Sequence, residues 1–383
     1  MIDVSELYDL IIVGGGPAGL AAAIYGGRAR RKTLVIEKGN VGGRAYTTRE
    51  IVNYPGVPDT TGPDLAALMR KQAEDFGVRF KTDQIKEYLL EGDIKVLKSR
   101  RNTYEAKAVI LAPGTGPRIL GIKGERELSG RGVAYCATCD AEFFKDQRVF
   151  VLGSGDQAVE ESIFIAKYAK EVTILSIHED GKLDCNALAR EKVLQVKNIS
   201  ILYHSTIDEV LGEEEVKGVV VKDLNDQTLK EYPCEGVFFF VGMVPNTEKL
   251  RGYRFLDQRG WISTNEMMET GIDGVYAAGD ARQKYLRQIA TSVSDGAIAA
   301  TAAERYLEET EGFEKLMKTK EKFSVCFWDP QIKGSGEELS KILSEEKDCI
   351  DIDVSRNRTI AKKYSIVLSE DEKAKVMRFE NRD

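Results

Sequence analysis

Asp9-Leu10-Ile11-Ile12-Val13-Gly14-Gly15-Gly16-Pro17-Ala18-Gly19 begins as a short apolar run, the mark of a buried parallel strand, and passes at once into a glycine-rich loop. A helix is expected from Pro17 to about Arg30. Thr33-Leu34-Val35-Ile36-Glu37 then reads as a second strand ending in a carboxylate 23 positions after Gly14. Strand, G-x-G-x-x-G, helix, strand and acid together make a dinucleotide-binding unit. Gly14 permits the tight turn, Gly16 lets a pyrophosphate approach the amides at the helix N-terminus, and Gly19 lets helix and strand pack closely. Glu37 is expected to hydrogen-bond the adenosine ribose.

The same unit recurs further along. Arg148 to Leu152 is a second apolar strand, Gly153-Ser154-Gly155-Asp156-Gln157-Ala158 a second loop, Val159 to Tyr168 a helix and Glu171 to Leu175 the next strand. The fold class is therefore α/β, with two Rossmann-like dinucleotide-binding domains. Gly153, Gly155 and Ala158 are the candidate contacts in the second loop. Counting 23 positions from Gly153 lands on Ser176, where no acid stands to favour NADH. The following Ile177-His178-Glu179-Asp180-Gly181-Lys182 holds no arginine for the 2′-phosphate of NADPH. Three readings stay open: NADPH, NADH, or a second loop that binds neither well.

Cys136-Ala137-Thr138-Cys139-Asp140 lies just before this second loop. Two thiols at this spacing can close a small disulfide ring, and the spacing often supplies thiolate near neutral pH. Asp140 stands ready to give or take a proton. Structural zinc is disfavoured, because the chain has only His178 and His204 and no second Cys-x-x-Cys to complete a ligand set. The other cysteines, Cys185, Cys234, Cys326 and Cys349, are isolated and read as ordinary thiols.

Composition limits the remaining possibilities. The 383 residues, 42% of them hydrophobic, suffice for two or three well-filled domains. A net charge of −7 with no concentrated basic face argues against a nucleic-acid surface. No apolar run reaches the roughly 18 residues of a membrane span, and the N-terminus enters a strand almost directly. Neither a membrane segment nor a signal peptide is expected, and a reducing cytoplasm fits the sparse cysteines.

Taken together, these motifs resemble the low-molecular-weight thioredoxin reductases, flavoproteins that carry their redox disulfide in the pyridine-nucleotide domain. Gly14 to Gly19 resembles the family's FAD loop, Gly42-Gly43-Arg44 its usual Gly-Gly-Gln, and Asn53-Tyr54-Pro55-Gly56 its Asn-Tyr-Pro-Gly. Val241 to Thr247, Ala277-Ala278-Gly279-Asp280, Arg287-Gln288-Ile289 and Asp295 to Ala300 follow in order, so the resemblance covers about Leu7 to Leu307. It implies FAD held by Gly14, Gly16, Gly19, Glu37, Gly43, Arg44, Asn53, Gly279 and Asp280. Asp280 would contact the ribityl or pyrophosphate part, and Arg287, Gln288 and Ile289 would line the isoalloxazine. It further implies that Cys139 faces the flavin, that Cys136 attacks thioredoxin or a similar disulfide protein, and that Asp140 is the acid-base group. A homodimer is implied, as is a middle domain that rotates about hinges near Arg118 to Lys123 and Val244 to Thr247.

Two departures qualify the resemblance. Ser176 to Lys182 replaces the His-Arg-Arg-x-x-x-Arg of the NADPH-dependent members, and Arg44 replaces the usual Gln. NADPH and NADH are both retained as donors, with ferredoxin or another donor as an alternative. A flavin redox sensor or partner-binding module without turnover is the competing class. The expected division is an FAD-binding domain at 1–119 and 245–310, an NAD(P)-binding domain with the disulfide at 120–244, and a small C-terminal α/β extension at 311–383.

The extension lies beyond the main resemblance. Glu308 to Lys322, with five glutamates and four lysines, reads as a linker with a helical turn. Strands are expected at Phe323 to Trp328 and Cys349 to Val354, and helices at Glu337 to Leu343 and Thr359 to Tyr364. Phe327-Trp328, Asp353-Val354 and Ala361 to Ile366 resemble the first half of a thioredoxin. Asp329-Pro330-Gln331 stands where its Cys-x-x-Cys would follow, and no cis-proline strand is expected after Ile366. A degenerate module for docking or dimer contacts is expected rather than a redox one, with a plain surface appendage as the alternative.

Overall fold

The computed structural model describes residues 6–48, 51–319, 322–345, 349–354, 360–361, 364, 366, 368–369 and 372–380, apart from the side chains at 138–139, 316–319, 322–323 and 379–380. The chain opens with β1 (Leu7–Val13), α1 (Pro17–Arg28), β2 (Thr33–Glu37), α2 (Gly62–Asp75) and the strands β3 (Arg79–Thr82), β4 (Glu87–Leu89), β5 (Lys95–Lys98), β6 (Thr103–Leu111) and β7 (Thr115–Pro117). A second run comprises β8 (Val133–Ala134), α3 (Ala137–Asp140), β9 (Arg148–Leu152), α4 (Asp156–Ile165), β10 (Glu171–Leu175), α5 (Ala187–Gln195) and β11 (Ile199–Leu202). It continues through β12 (Ser205–Leu211), β13 (Gly218–Asp223), β14 (Leu229–Pro233), β15 (Gly236–Phe239) and β16 (Met243–Pro245). The chain then adds β17 (Val275–Ala277), α6 (Ile289–Thr319), β18 (Lys322–Trp328), α7 (Ser335–Glu345), β19 (Cys349–Asp353) and β20 (Ala374–Glu380).

The first sheet has the order β3-β2-β1-β6-β5-β4, with β17 also paired to β6. β1 runs parallel to β2 and β6, and its last residues are buried between two cores. One core, with Leu10, Ile12 and Leu20, includes the inner faces of α1 and α6, and the other includes Ile11, Val13, Phe255 and Ile262. Cover on both faces is why this strand reads as a continuous apolar run rather than an alternating one.

The second sheet, β11-β10-β9-β15-β8, is parallel throughout. Residues of α4 and α5 share a core with Val149, Val151 and Phe238 on one side. On the other, Phe150, Leu152 and Phe239 pack with the antiparallel sheet β12-β13-β14, an element not anticipated from the sequence. The chain leaves the first sheet through β7 and returns through β16, and these two crossings pair antiparallel as a ribbon, Thr115 opposite Pro245.

The segment expected as a linker is instead the C-terminal part of one helix, α6, which runs unbroken through Thr319. Tertiary contacts explain this: Glu311 accepts from Arg31 Nη1 at 2.8 Å and from Lys107 Nζ at 2.6 Å, and Phe313 is buried in the core of the tail. That core also holds Val325, Phe327, Ile352, Ile360, Ala361 and Ile366. The tail sheet has the order β19-β18-β20, β18 being parallel to β19 and antiparallel to β20. Of the expected helix at Thr359 to Tyr364, only Ile360, Ala361 and Tyr364 are among the described residues. A strand does follow Ile366, but it holds no proline, and no described peptide bond is cis. The loop after Trp328 is closed by buried Ser335, whose hydroxyl donates to Lys373 O and accepts from the Asp329 amide. No described helix is long and apolar enough to cross a membrane.

Candidate active site

The first glycine loop is built where side chains have no room. Gly14 has φ +109°, and a Cβ there would fall 2.1 Å from Ala112 O. A Cβ on Gly19 would fall 1.8 Å from Gly14 O, which is the close helix-strand packing the spacing predicts. Gly16 caps α1 without a side-chain hydrogen bond, and Pro17 follows, so amides of the first turn remain open to an anion. The Gly42-Gly43 turn folds onto this loop: Gly42 N donates to Gly15 O at 2.7 Å, and a Cβ on Gly43 would lie 3.1 Å from Gly16 Cα. Bare backbone on both sides forms a cradle, and it fits the pyrophosphate of FAD. Glu37 accepts from the Gly15 and Gly39 amides at 2.6 and 2.9 Å, which holds the carboxylate against the loop.

Distant segments converge on the same crevice. A Cβ on Gly279 would come within 2.8 Å of Ala18 Cβ, which brings the Gly279-Asp280 turn against α1. Asp280 accepts from Ser292 Oγ at 3.0 Å, and its carbonyl accepts from Arg287 Nε at 3.2 Å. Arg287 also stacks its guanidinium 4.0 Å from the Trp261 ring centroid. Asn53 Nδ2 donates to Gln288 Oε1 at 3.3 Å, and Ile289 begins α6. Beneath the turn, buried Asp295 accepts from Gly279 N and pairs with Arg282 and Lys284 at 2.9 and 2.8 Å. Trp261 was not singled out from the sequence, because nothing in its neighbourhood marks it as a platform for a residue 26 positions later.

The second loop repeats the design. Gly153 has φ +130°, with a Cβ there 2.3 Å from Phe240 O, and Ala158 takes the third small position. Gly155 caps α4 with nothing within 4 Å of a Cβ, so its surroundings are open. Ser176 is fully buried: its hydroxyl donates to Lys182 O at 3.4 Å and accepts from the His178 amide at 3.3 Å. The nearby basic side chains have partners, Lys182 with Glu179 at 3.6 Å, Arg190 with Gly181 O at 2.6 Å and His178 with Asp184 at 2.6 Å. Burial pushes the Arg44 guanidinium below its ordinary range, and the charges of Asp280 and of Glu161 on α4 act against that shift.

A turn through Cys136 joins β8 to α3. Cys136 is disulfide-bonded and half-buried, while Cys185, Cys234, Cys326 and Cys349 lie outside any disulfide. The Cys139 side chain, and with it the expectation that it faces a flavin, lies outside the described residues. Asp140 N donates to Cys136 O at 3.2 Å, and burial pushes its carboxyl above the ordinary aspartate range. Phe143 beside it is 77% exposed. Burial pushes the Cys234 thiol up to about 12, which leaves it inert at neutral pH.

Comparisons with known proteins agree with this geometry. The family model described as pyridine nucleotide-disulphide oxidoreductase matches residues 8–296. The thioredoxin reductase of Peptoclostridium acidaminophilum is 46% identical over 310 residues, covering 79% of this chain and 98% of that protein. That of Bacillus subtilis is 38% identical, covering 82% and 99%. Among solved structures, Lactococcus lactis thioredoxin reductase in its FR conformation superposes with a TM-score of 0.76 at 37% identity, over 79% of this chain and 99% of that one. Thioredoxin reductase of T. acidophilum gives a TM-score of 0.71 at 32% identity, over 78% and 98%.

Proposed function

The chain belongs to the pyridine nucleotide-disulphide oxidoreductases and, within them, to the thioredoxin reductases, and on that premise we propose that it reduces thioredoxin or a similar disulfide protein at its Cys136-Cys139 pair. The observation that carries this reading is a disulfide-bonded Cys136 in the segment that leads into the strand of the second of two glycine cradles. FAD, when bound, supplies hydride acceptance from a nicotinamide and two-electron delivery to a disulfide, chemistry that no side chain provides. Residues Gly14, Gly16, Gly19, Glu37, Gly43, Arg44, Asn53, Gly279, Asp280, Arg287, Gln288 and Ile289 hold and orient it in this proposal. The flavin-binding part spans 1–119 and 245–310, the nicotinamide part 120–244, and 311–383 is an appended module. A homodimer and a cytoplasmic setting follow from the same family reading.

With the pair reduced, the Cys136 thiolate attacks one sulfur of the partner disulfide, forms a mixed disulfide and expels the other partner sulfur as thiolate. Asp140 gives that sulfur a proton. The Cys139 thiolate then attacks Cys136, releases the second partner thiol and restores the Cys136-Cys139 disulfide. As the acid, Asp140 contributes below its raised pKa and loses effect as pH rises through it. Asp140→Asn is expected to slow disulfide exchange about a hundredfold. The alkaline limb of the kcat/KM profile should vanish with it, and an unchanged profile would exclude Asp140 as the proton carrier.

For the donor we favour NADH, because Lys182 and Arg190 are already paired and no arginine stands in Ser176 to Lys182 to take a 2′-phosphate. Anaerobic titration of the flavin with NADH, NADPH and reduced ferredoxin tests this. NADH is expected to bleach it at about tenfold lower concentration than NADPH, and Glu179→Arg should narrow that gap. Bleaching by dithionite alone would defeat the nicotinamide reading, and bleaching by ferredoxin alone would replace it.

A further inference from the structure

Glu125 is a fully buried carboxylate, 0% exposed, with no basic side chain bonded to it among the described residues. Its Oε2 accepts from the amides of Gly121 and Ile122 at 2.6 and 3.1 Å, and its Oε1 from the amide of Leu120 at 3.2 Å. Three consecutive amides thus converge on one side chain, a nest that suits a negative charge. The remaining partner is the Tyr135 hydroxyl, which donates to Oε1 at 3.1 Å. Leu120 to Ile122 lie just beyond β7, the outgoing strand of the ribbon, and Tyr135 immediately precedes Cys136. One carboxylate therefore bonds the exit of the first crossing to the residue beside the reactive sulfur.

The second crossing is tied in as well. The Tyr135 ring packs on Phe239 at 5.9 Å between centroids, and Phe239 ends the strand that leads toward β16. On the ribbon side, Arg118 N donates to Gly242 O at 3.0 Å. Between the ribbon and the Glu125 nest only Ile119 has no such tie. In the return crossing, Gly242 has φ +98° and open space around a Cβ, and its carbonyl accepts the bond from Arg118. Expectation from the family resemblance spread the hinges over Arg118 to Lys123 and Val244 to Thr247. The first of these is tied at Arg118 and at Leu120 to Ile122, and Gly242 lies outside the second.

We propose that Glu125 and Tyr135 act as a positioning pair that fixes Cys136 relative to both crossings. The proposal rests on the reading of Cys136 and Cys139 as the reducing pair. Neither residue of the clamp touches substrate. Each acts through the placement of Cys136.

The test uses the flavin-loaded full chain and two acceptors: thioredoxin, which needs the disulfide, and ferricyanide, which takes electrons from flavin directly. Tyr135→Phe keeps the ring on Phe239 and removes only the hydroxyl. It should lower kcat with thioredoxin about threefold and leave ferricyanide turnover and flavin content unchanged. Glu125→Gln should lower the thioredoxin-to-ferricyanide ratio about tenfold. The double variant should be no worse than Glu125→Gln, because both substitutions break one linkage. An unchanged ratio in Tyr135→Phe, or multiplied losses in the double variant, overturns the clamp even if Glu125→Gln does not fold. A wild type that reduces ferricyanide but not thioredoxin overturns the reductase reading itself, and the clamp with it.

Discussion

Cys136→Ser is expected to lower thioredoxin turnover on the order of a thousandfold or more, because the attacking sulfur is removed and a serine hydroxyl is not ionised near neutral pH. The variant should still bind flavin and reduce ferricyanide at the wild-type rate, since none of the groups around the first glycine loop is touched. This selective loss distinguishes an enzyme from a flavoprotein sensor. In a sensor, thioredoxin turnover is absent in the wild type as well, and the substitution changes only the titration of the disulfide. Full thioredoxin activity in the variant would refute the assignment of Cys136. The buried free thiol of Cys234 cannot take over the role, because its proton is held up to about 12.

Gly19→Ala is the second change with a large expected effect, and it acts on the fold before it acts on chemistry. The new methyl would sit 1.8 Å from Gly14 O and 3.0 Å from Gly14 C, so backbone must move against backbone. A loss of about 3 kcal/mol of stability is expected, together with a protein that purifies without its yellow colour. Gly155→Ala is the control. Nothing lies within 4 Å of its Cβ, so folding and flavin content should survive. Nicotinamide binding should weaken, because the methyl occupies the space through which a pyrophosphate reaches the amides of α4. Absorbance at the flavin band, thermal melting and the KM for the nicotinamide separate the two variants. A yellow, stable Gly19→Ala protein would show that the loop accommodates the methyl, against the packing argument.

Much of this arrangement is legible in the sequence, because it depends on local rules. Gly14, Gly19 and Gly153 announce themselves through spacing, and the structure shows the steric reason at each. The charged segment after Leu307 was misjudged for a physical cause. Its many glutamates and lysines suit a solvated linker equally well as a helix, and what decides for helix is Glu311 reaching Arg31 and Lys107, residues some 280 and 204 positions away. Glu125 escaped notice for a related reason. Its partners are mostly backbone amides, which carry no side-chain signature, and only the fold brings Tyr135 to it. The three-stranded sheet β12-β13-β14 was likewise unforeseen, since its register is set by pairing across the fold rather than by a motif.

The unbroken length of α6 has a mechanical consequence. From Ile289 at the crevice to Thr319 its 31 residues span about 46 Å of rigid rod, and Phe313 near the far end is seated in the tail core. The tail is therefore set in angular phase with the crevice, like a vane on a shaft. Each residue inserted into the exposed stretch of this rod would swing the vane by about 100° and displace it by about 1.5 Å. A surface that meets a partner in only one orientation would lose it after a single insertion and approach it again after a full turn of about four residues.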